Sequence, residues 1–237
     1  MTLGIMQPYF MPYIGYFSLI KHTDEFILFD TVQFIRHGWI ERNRILKQTG
    51  GWQYVQVPII KKDGRDTKIL DVKIDNSINW QEKMLAQMQH YKKRAPYFYK
   101  VRRLTEMLFS EDYDNIVELD RRALLLICEY LDIQTPITVF SQMNLPIEPV
   151  HAPDEWALNI CKARKANTYI NPIGGMDFFD RTKYENAGVK LYFMQTCERG
   201  YKQFNNESYE NSLSILDVLM FNSIETIHKM LDDYKLL

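Results

Sequence analysis

The sequence predicts an α/β layered fold: a mostly parallel, Rossmann-like sheet with a small β-hairpin insertion and a helical middle segment. Three observations carry that expectation. Two short apolar runs near the start, Leu3-Gly4-Ile5-Met6 and Glu25-Phe26-Ile27-Leu28-Phe29-Asp30, bracket a stretch able to form one or two helical turns. From residue 79 to about 131 the apolar residues recur at helical spacing. Beyond residue 137, three further apolar runs are separated by single helical patterns, as in parallel strands joined by crossovers. A chain of 237 residues builds one sizeable core, so 1–237 reads as a single domain, with 79–132 as a helical subdomain.

In order, the first strand stops at Pro8, which lacks a backbone donor, and a turn-helix over Ile14 to Lys21 leads to the second strand. Tyr54 to Ile59 and Lys68 to Ile74 alternate like half-buried strands and are expected to pair as a hairpin or subsheet. The charged Lys61-Lys62-Asp63-Gly64-Arg65 forms its solvated tip. Helices follow over Trp80 to Lys93, Pro96 to Phe109 and Tyr113 to Leu131, with Asn79 and Asp112 as caps. Strands at Ile137 to Phe140, Thr168 to Ile170 and Val189 to Phe193 alternate with helices at Pro153 to Ala166 and Asp177 to Ala187. An apolar run, Ser214 to Met220, and a last helix from Ser223 close the chain, and both termini are expected to join one sheet.

Composition excludes several classes. A formal net charge of −1 gives no reason to expect DNA as a partner. Cys128, Cys161 and Cys197 are odd in number and lack CxxC spacing, and His22, His37, His90, His151 and His228 show no HxxxH or HxH pattern, so no disulfide framework or metal site is expected. No stretch nears the roughly 20 apolar residues of a membrane span and no signal peptide opens the chain, so a cytoplasmic protein without membrane insertion is the reading.

In an open sheet of this kind ligands lie beyond the carboxyl ends of the strands, and three loops leave there. The first, Gln7 to Gly15, places two prolines beside Tyr9, Tyr13, Tyr16, Phe10 and Phe17, a stiff wall suited to a sugar or a base, or else simple packing of helix on sheet. The second, Thr31 to Arg44, gathers Gln33, Arg36, His37, Trp39, Arg42, Asn43 and Arg44 behind Asp30. Its guanidinium groups match phosphate or carboxylate, or form surface ion pairs. The third, Asn171-Pro172-Ile173-Gly174-Gly175, lets backbone approach a ligand but lacks a phosphate-loop spacing. No nucleophile is evident, and of the histidines only His37 is placed for acid-base work.

Four segments together resemble the WbqC-like family of bacterial surface-polysaccharide gene clusters: Met6 to Phe17, Asp30 to Arg44, Tyr169 to Gly175, and Leu213-Ser214-Ile215-Leu216-Asp217. The resemblance implies a transferase in O-antigen or related glycan biosynthesis that places an amino-acyl group, glycine-type, on a nucleotide-activated amino sugar. An acyl donor or carrier would be a further partner. In that reading Tyr9, Tyr13, Tyr16 and Trp39 stack sugar or base, Arg42 and Arg44 hold phosphate or carboxylate, and Gln7, Gln33 and Asn43 orient the acceptor. Asn171, Gly174 and Gly175 complete the binding set. Asp30 is the expected base, with Asn43 and His37 also placed as catalytic. The sequence departs from the expected pattern at His37, where a basic residue is usual, and at Glu41, where asparagine is.

Two other functions remain open: a non-catalytic sugar-nucleotide-binding or scaffold protein, and a HIGH-motif-like adenylate-forming enzyme using ATP. The histidines of that motif are absent, with Tyr13 and Tyr16 near their places. No cofactor is otherwise indicated.

Overall fold

A computed structural model describes residues 1–60, 67–197, 199–204 and 209–237. The chain begins with β1 (Thr2–Met6), α1 (Ile14–Lys21) and β2 (Glu25–Leu28). A separate two-stranded antiparallel sheet follows, β3 (Arg42–Leu46) on β4 (Trp52–Gln56). The helical middle comprises α2 (Trp80–Gln87), α3 (Phe98–Leu108) and α4 (Ile116–Tyr130). Then come β5 (Ile137–Val139), α5 (Glu155–Ala163), β6 (Thr168–Pro172), α6 (Arg181–Asn186) and β7 (Lys190–Thr196). The chain ends with α7 (Ile215–Phe221), α8 (Ile224–Leu231) and β8 (Tyr234–Leu236).

Six strands form the main sheet in the order β5-β2-β1-β6-β7-β8, parallel except for the β7–β8 pair. Both ends of the chain therefore contribute to it. The chain builds outward from β1 through β2 to β5, then returns to the other side of β1 with β6. Strand order reverses between β1 and β6, which is where open sheets of this type bind ligands.

Strand residues alternate between two cores, as the period of two requires. Leu3, Ile5, Ile27, Tyr169, Leu191 and Phe193 pack with α5 and α6 on one face. Phe26, Leu28, Ile170 and Met194 pack on the other with α1, α7, α8, the small sheet and the helical middle. Gly4 is required where β1 meets β2: a Cβ there would lie 2.8 Å from the Phe26 ring. At the opposite end of the sheet from the strands' carboxyl termini, Glu25 accepts from Arg164 Nη2 at 2.7 Å and from Thr138 Oγ1 at 3.2 Å, tying β2 to β5 and α5.

Two expectations need correction. The hairpin pairs Tyr54 to Gln56 with Arg42 to Arg44, not with 68–74, which forms a short 3-10 turn and isolated bridges such as Ile59 to Ile74. Arginine's long aliphatic stem lets Arg42 and Arg44 occupy a strand that their charge conceals. The expected tip, Lys61 to Arg65, lies outside the described residues. Asn79 caps α2 as expected, accepting from Glu82 N–H, but α4 is capped by Asn115 rather than Asp112.

The core also holds an unusual acid. Asp120 of α4 is fully buried, neither carboxylate oxygen has a partner among the described residues, and Glu41 is close enough to repel its charge. Burial first, and Glu41 second, push its pKa well above the ordinary 3.8. A carboxyl with a raised folded-state pKa keeps its proton while the unfolded chain releases it. Its stability contribution is therefore whole below about 4 and is lost as pH rises, by up to ~1.4 kcal/mol per pH unit. Asp120→Asn, which cannot ionise, is expected to lose less stability than wild type between pH 5 and pH 8, read from denaturant midpoints. Equal losses in the two chains would show that Asp120 is ionised in the fold.

Candidate functional site

A cleft of about 940 Å³ opens over the carboxyl ends of β1 and β6, at the reversal of strand order. Its two walls come from the two faces of the sheet. One wall is apolar: Phe29, Trp156, Ile173 and Phe179, with the Phe29 and Trp156 rings 5.2 Å apart and Phe178 and Phe179 5.1 Å apart. The other carries Tyr9, Tyr13, Trp39, Asn43 and Arg44. Ile35 and Phe178, 64% and 54% exposed, face solvent from two different loops that border the cleft.

The turn after β1 is fixed by its carbonyls. Asn43 Nδ2 donates to Phe10 O at 3.1 Å, Ser214 Oγ to Met11 O at 2.7 Å, Ile215 N–H to Pro12 O at 2.8 Å, and Tyr16 OH to Gln7 O at 2.8 Å. Phe10 N–H donates to Trp39 O at 2.9 Å. This binding holds buried Met11 at φ 43°, a left-handed conformation that non-glycine residues rarely adopt.

Of the residues the sequence offers, Gln7, Tyr9, Tyr13, Trp39, Asn43, Arg44, Asn171, Gly174 and Gly175 line the cleft. Five do not. Tyr16 is fully buried, with Phe26 5.2 Å and Tyr9 5.6 Å from its ring, so it packs helix on sheet rather than stacking a ligand. Asp30 is buried and accepts from Ser141 N–H at 3.0 Å and Ser141 Oγ at 2.5 Å. Gln33 is exposed in a bridge to Lys68. Arg42 folds back onto the carbonyls of His37 and Gly38, its guanidinium 4.1 Å from the Tyr54 ring. His37 is exposed at φ 62°, its N–H on Glu41 Oε1 at 2.9 Å, so the two positions that depart from the family pattern touch each other.

Arg44 occupies a different setting. Its guanidinium carbon is 5.5 Å from the Trp39 ring and 5.1 Å from the Trp52 ring, and Nη2 donates to Ser212 O at 3.0 Å. Its buried Nε has no acceptor among the described residues. Asn171 is held by Tyr169 OH at 2.9 Å and by its own bond to Pro172 O at 2.9 Å. Burial raises the Tyr9 phenol's pKa and pushes that of Tyr169 well up, so both keep their protons and act as donors.

The apolar wall was not legible as a site in the sequence. Phe29 stands in an apolar run and Trp156 in a helical pattern, and only their position at the end of β2 and the start of α5 marks them. Cys128 and Cys161 are buried, with burial pushing both thiols up to about 12. Among the described residues no group of three or more His, Cys, Asp or Glu is placed to hold a metal ion, and no helix is long and apolar enough to cross a membrane.

The two loop glycines differ. A Cβ at Gly175 would lie 2.2 Å from Asn171 Nδ2, whereas at Gly174 it meets nothing within 4 Å. Gly175→Ala is expected to displace Asn171 from Tyr169 and cost about 1–3 kcal/mol in chemical denaturation, with Gly174→Ala within about 0.5 kcal/mol of wild type. Equal effects would show that the Asn171 side chain moves aside freely.

No solved structure matches the chain. The uncharacterized protein Rv1507c of Mycobacterium tuberculosis is 29% identical over 222 residues, covering 93% of each chain. The model of the WbqC-like protein family matches residues 7–229, which take in the clamped turn, the arginine strand and the Asn171 loop. With nearly its whole length matched, the chain belongs to the WbqC-like protein family.

Proposed function

We propose that this protein is a transferase of bacterial surface-polysaccharide biosynthesis, placing a glycine-type amino-acyl group on the amine of a nucleotide-activated amino sugar. Family membership suggests the polysaccharide-related role. The cleft at the strand-order reversal is the observation that carries the rest: about 940 Å³ is room for two reactants, and its lining mixes aromatic surface with a few oriented polar groups.

In this reading the amine nitrogen attacks the carbonyl carbon of an activated acyl donor. A C–N bond forms, the bond to the leaving group breaks, and the leaving group departs with the electron pair. The proton lost from nitrogen passes to water or to the leaving group. Tyr9, Asn43 and Asn171 supply hydrogen bonds that orient amine and carbonyl, and the rate comes from holding the two together. Trp39 and Tyr13 flank the sugar, and Arg44 binds an anionic group. Asp30 acts through the Ser141 segment that it holds, as a positioning residue.

The test is mass spectrometry of purified protein with amino sugar-nucleotides and activated glycine donors, the expected product being the amino-acylated sugar. A chain that binds the sugar-nucleotide and forms no product with any donor is a binding or scaffold protein. That reading draws support from the cleft's described lining, which holds no carboxylate, histidine or cysteine.

Two variants sharpen the assignment. Trp156→Ala is expected to lower kcat/KM by roughly 10- to 100-fold, since fixed orientation is lost with the apolar wall. Asp30→Asn is expected to lower kcat while leaving the acid limb of the pH–rate profile in place. Loss of that limb would make Asp30 the base.

A further inference from the structure

The chemistry of the cleft also specifies the charge of its ligand. In sheets of this order a pyrophosphate ordinarily lies on the amides of the first turn, at the amino end of the first helix. That place offers few donors here. Pro8 and Pro12 carry no N–H, and the Phe10 N–H already donates to Trp39 O at 2.9 Å. The Tyr13 ring covers the start of α1: a Cβ at Gly15 would lie 2.4 Å from Tyr13 Cε2.

Positive charge enters the cleft from the other side of the same wall. Arg44 is the one cation among the described residues that line it. The Trp39 and Trp52 rings flank its guanidinium, and the bond to Ser212 O fixes its direction. Of its five N–H donors, the buried Nε–H has no acceptor among the described residues and one on Nη2 is taken by Ser212 O, so a ligand oxygen meets the terminal nitrogens. One planar guanidinium matches one carboxylate with two parallel hydrogen bonds, and a diphosphate would exceed its charge. Across the cleft stand Phe29, Trp156 and Phe179, a surface for a ring or a branched chain.

We infer that this cleft takes a ligand with a single carboxylate on Arg44 and a ring-sized apolar body against Phe29, Trp156 and Phe179, and that no diphosphate occupies the turn between β1 and α1. The inference rests on the preceding reading only in taking this cleft as the ligand site. The nucleotide of an amino sugar bound at the same time then lies outside the turn, toward the exposed Ile35 and Phe178.

Titration of the full chain, followed by tryptophan fluorescence and calorimetry, tests this with 3-phenylpropanoate, its primary amide and thymidine diphosphate. The acid is expected to bind roughly ten- to a hundred-fold more tightly than the amide, the worth of a charged hydrogen-bonded contact. Arg44→Gln is expected to bind acid and amide alike, Arg44→Lys to keep part of the preference, and thymidine diphosphate to leave the bound acid in place. The inference is overturned if acid and amide bind wild type equally, if neither binds, or if thymidine diphosphate displaces the acid. The acid–amide comparison uses the unaltered chain, so a poorly folded variant does not obscure it. Acid bound as expected with no product in the transfer assay removes the transferase reading alone; product formed while acid and amide bind alike removes this inference alone.

Discussion

The structure depends on how the turn after β1 is held. Pro8 and Pro12 deprive it of two backbone donors, yet its carbonyls still need partners once buried. Most of those partners come from far along the chain: the Asn43 side chain in β3 and the Ser214 hydroxyl and Ile215 amide at the start of α7, with the nearby Tyr16 hydroxyl in α1 completing the set. A local shortage of donors thus becomes a set of long-range bonds. The wall of the cleft cannot move without moving β3 and α7.

A second network makes the other side of that wall equally firm. Asp217 in α7 is fully buried and accepts from Tyr91 OH at 2.6 Å and Tyr201 OH at 2.5 Å, while Tyr91 OH accepts from Leu46 N–H at 2.9 Å. Burial raises the Asp217 pKa to about 6, against the lowering effect of the two phenols. Leu46 ends the strand that carries Arg44 and Asn43, so this chain of bonds reaches two residues of the cleft through the backbone. Ser214 N–H on Arg44 O at 2.8 Å joins the two networks. Buried polar groups with all partners in place specify one arrangement, and here that arrangement includes the cleft lining.

How much was legible in the sequence follows from what each segment asks of its residues. The parallel strands were readable because a strand buried on both faces is a short apolar run, and five such runs fell in the right places. The β3 strand was not, because it opens on the polar Arg42-Asn43-Arg44, whose arginines lie on the faces of Tyr54, Trp39 and Trp52. Most of the polar wall was readable from Tyr9, Tyr13 and Trp39, large aromatic residues gathered in two loops. Tyr16 misled because one helical turn separates a ring that lines the cleft from one that fills the core. Asp30 and Arg42 misled for a shared reason. Sequence places a charged group near a site, but only the fold shows that Ser141 and the carbonyls of His37 and Gly38 have already engaged it.

The lining itself constrains the kind of chemistry the cleft can support. Catalysis by proton transfer needs a group that titrates near neutral pH within hydrogen-bond reach of the reacting atoms. The described lining offers phenols with protons retained, three side-chain amides (Gln7, Asn43 and Asn171), and a guanidinium that does not titrate. Such groups bind charge and aim dipoles. A pocket built this way favours a reaction whose nucleophile is reactive on its own, such as a free amine meeting an activated carbonyl. There, exclusion of water and fixed geometry supply the acceleration. The rigid mounting of the wall on β3 and α7 is what such a mechanism needs, because a loose wall would hold the reactants without aligning them.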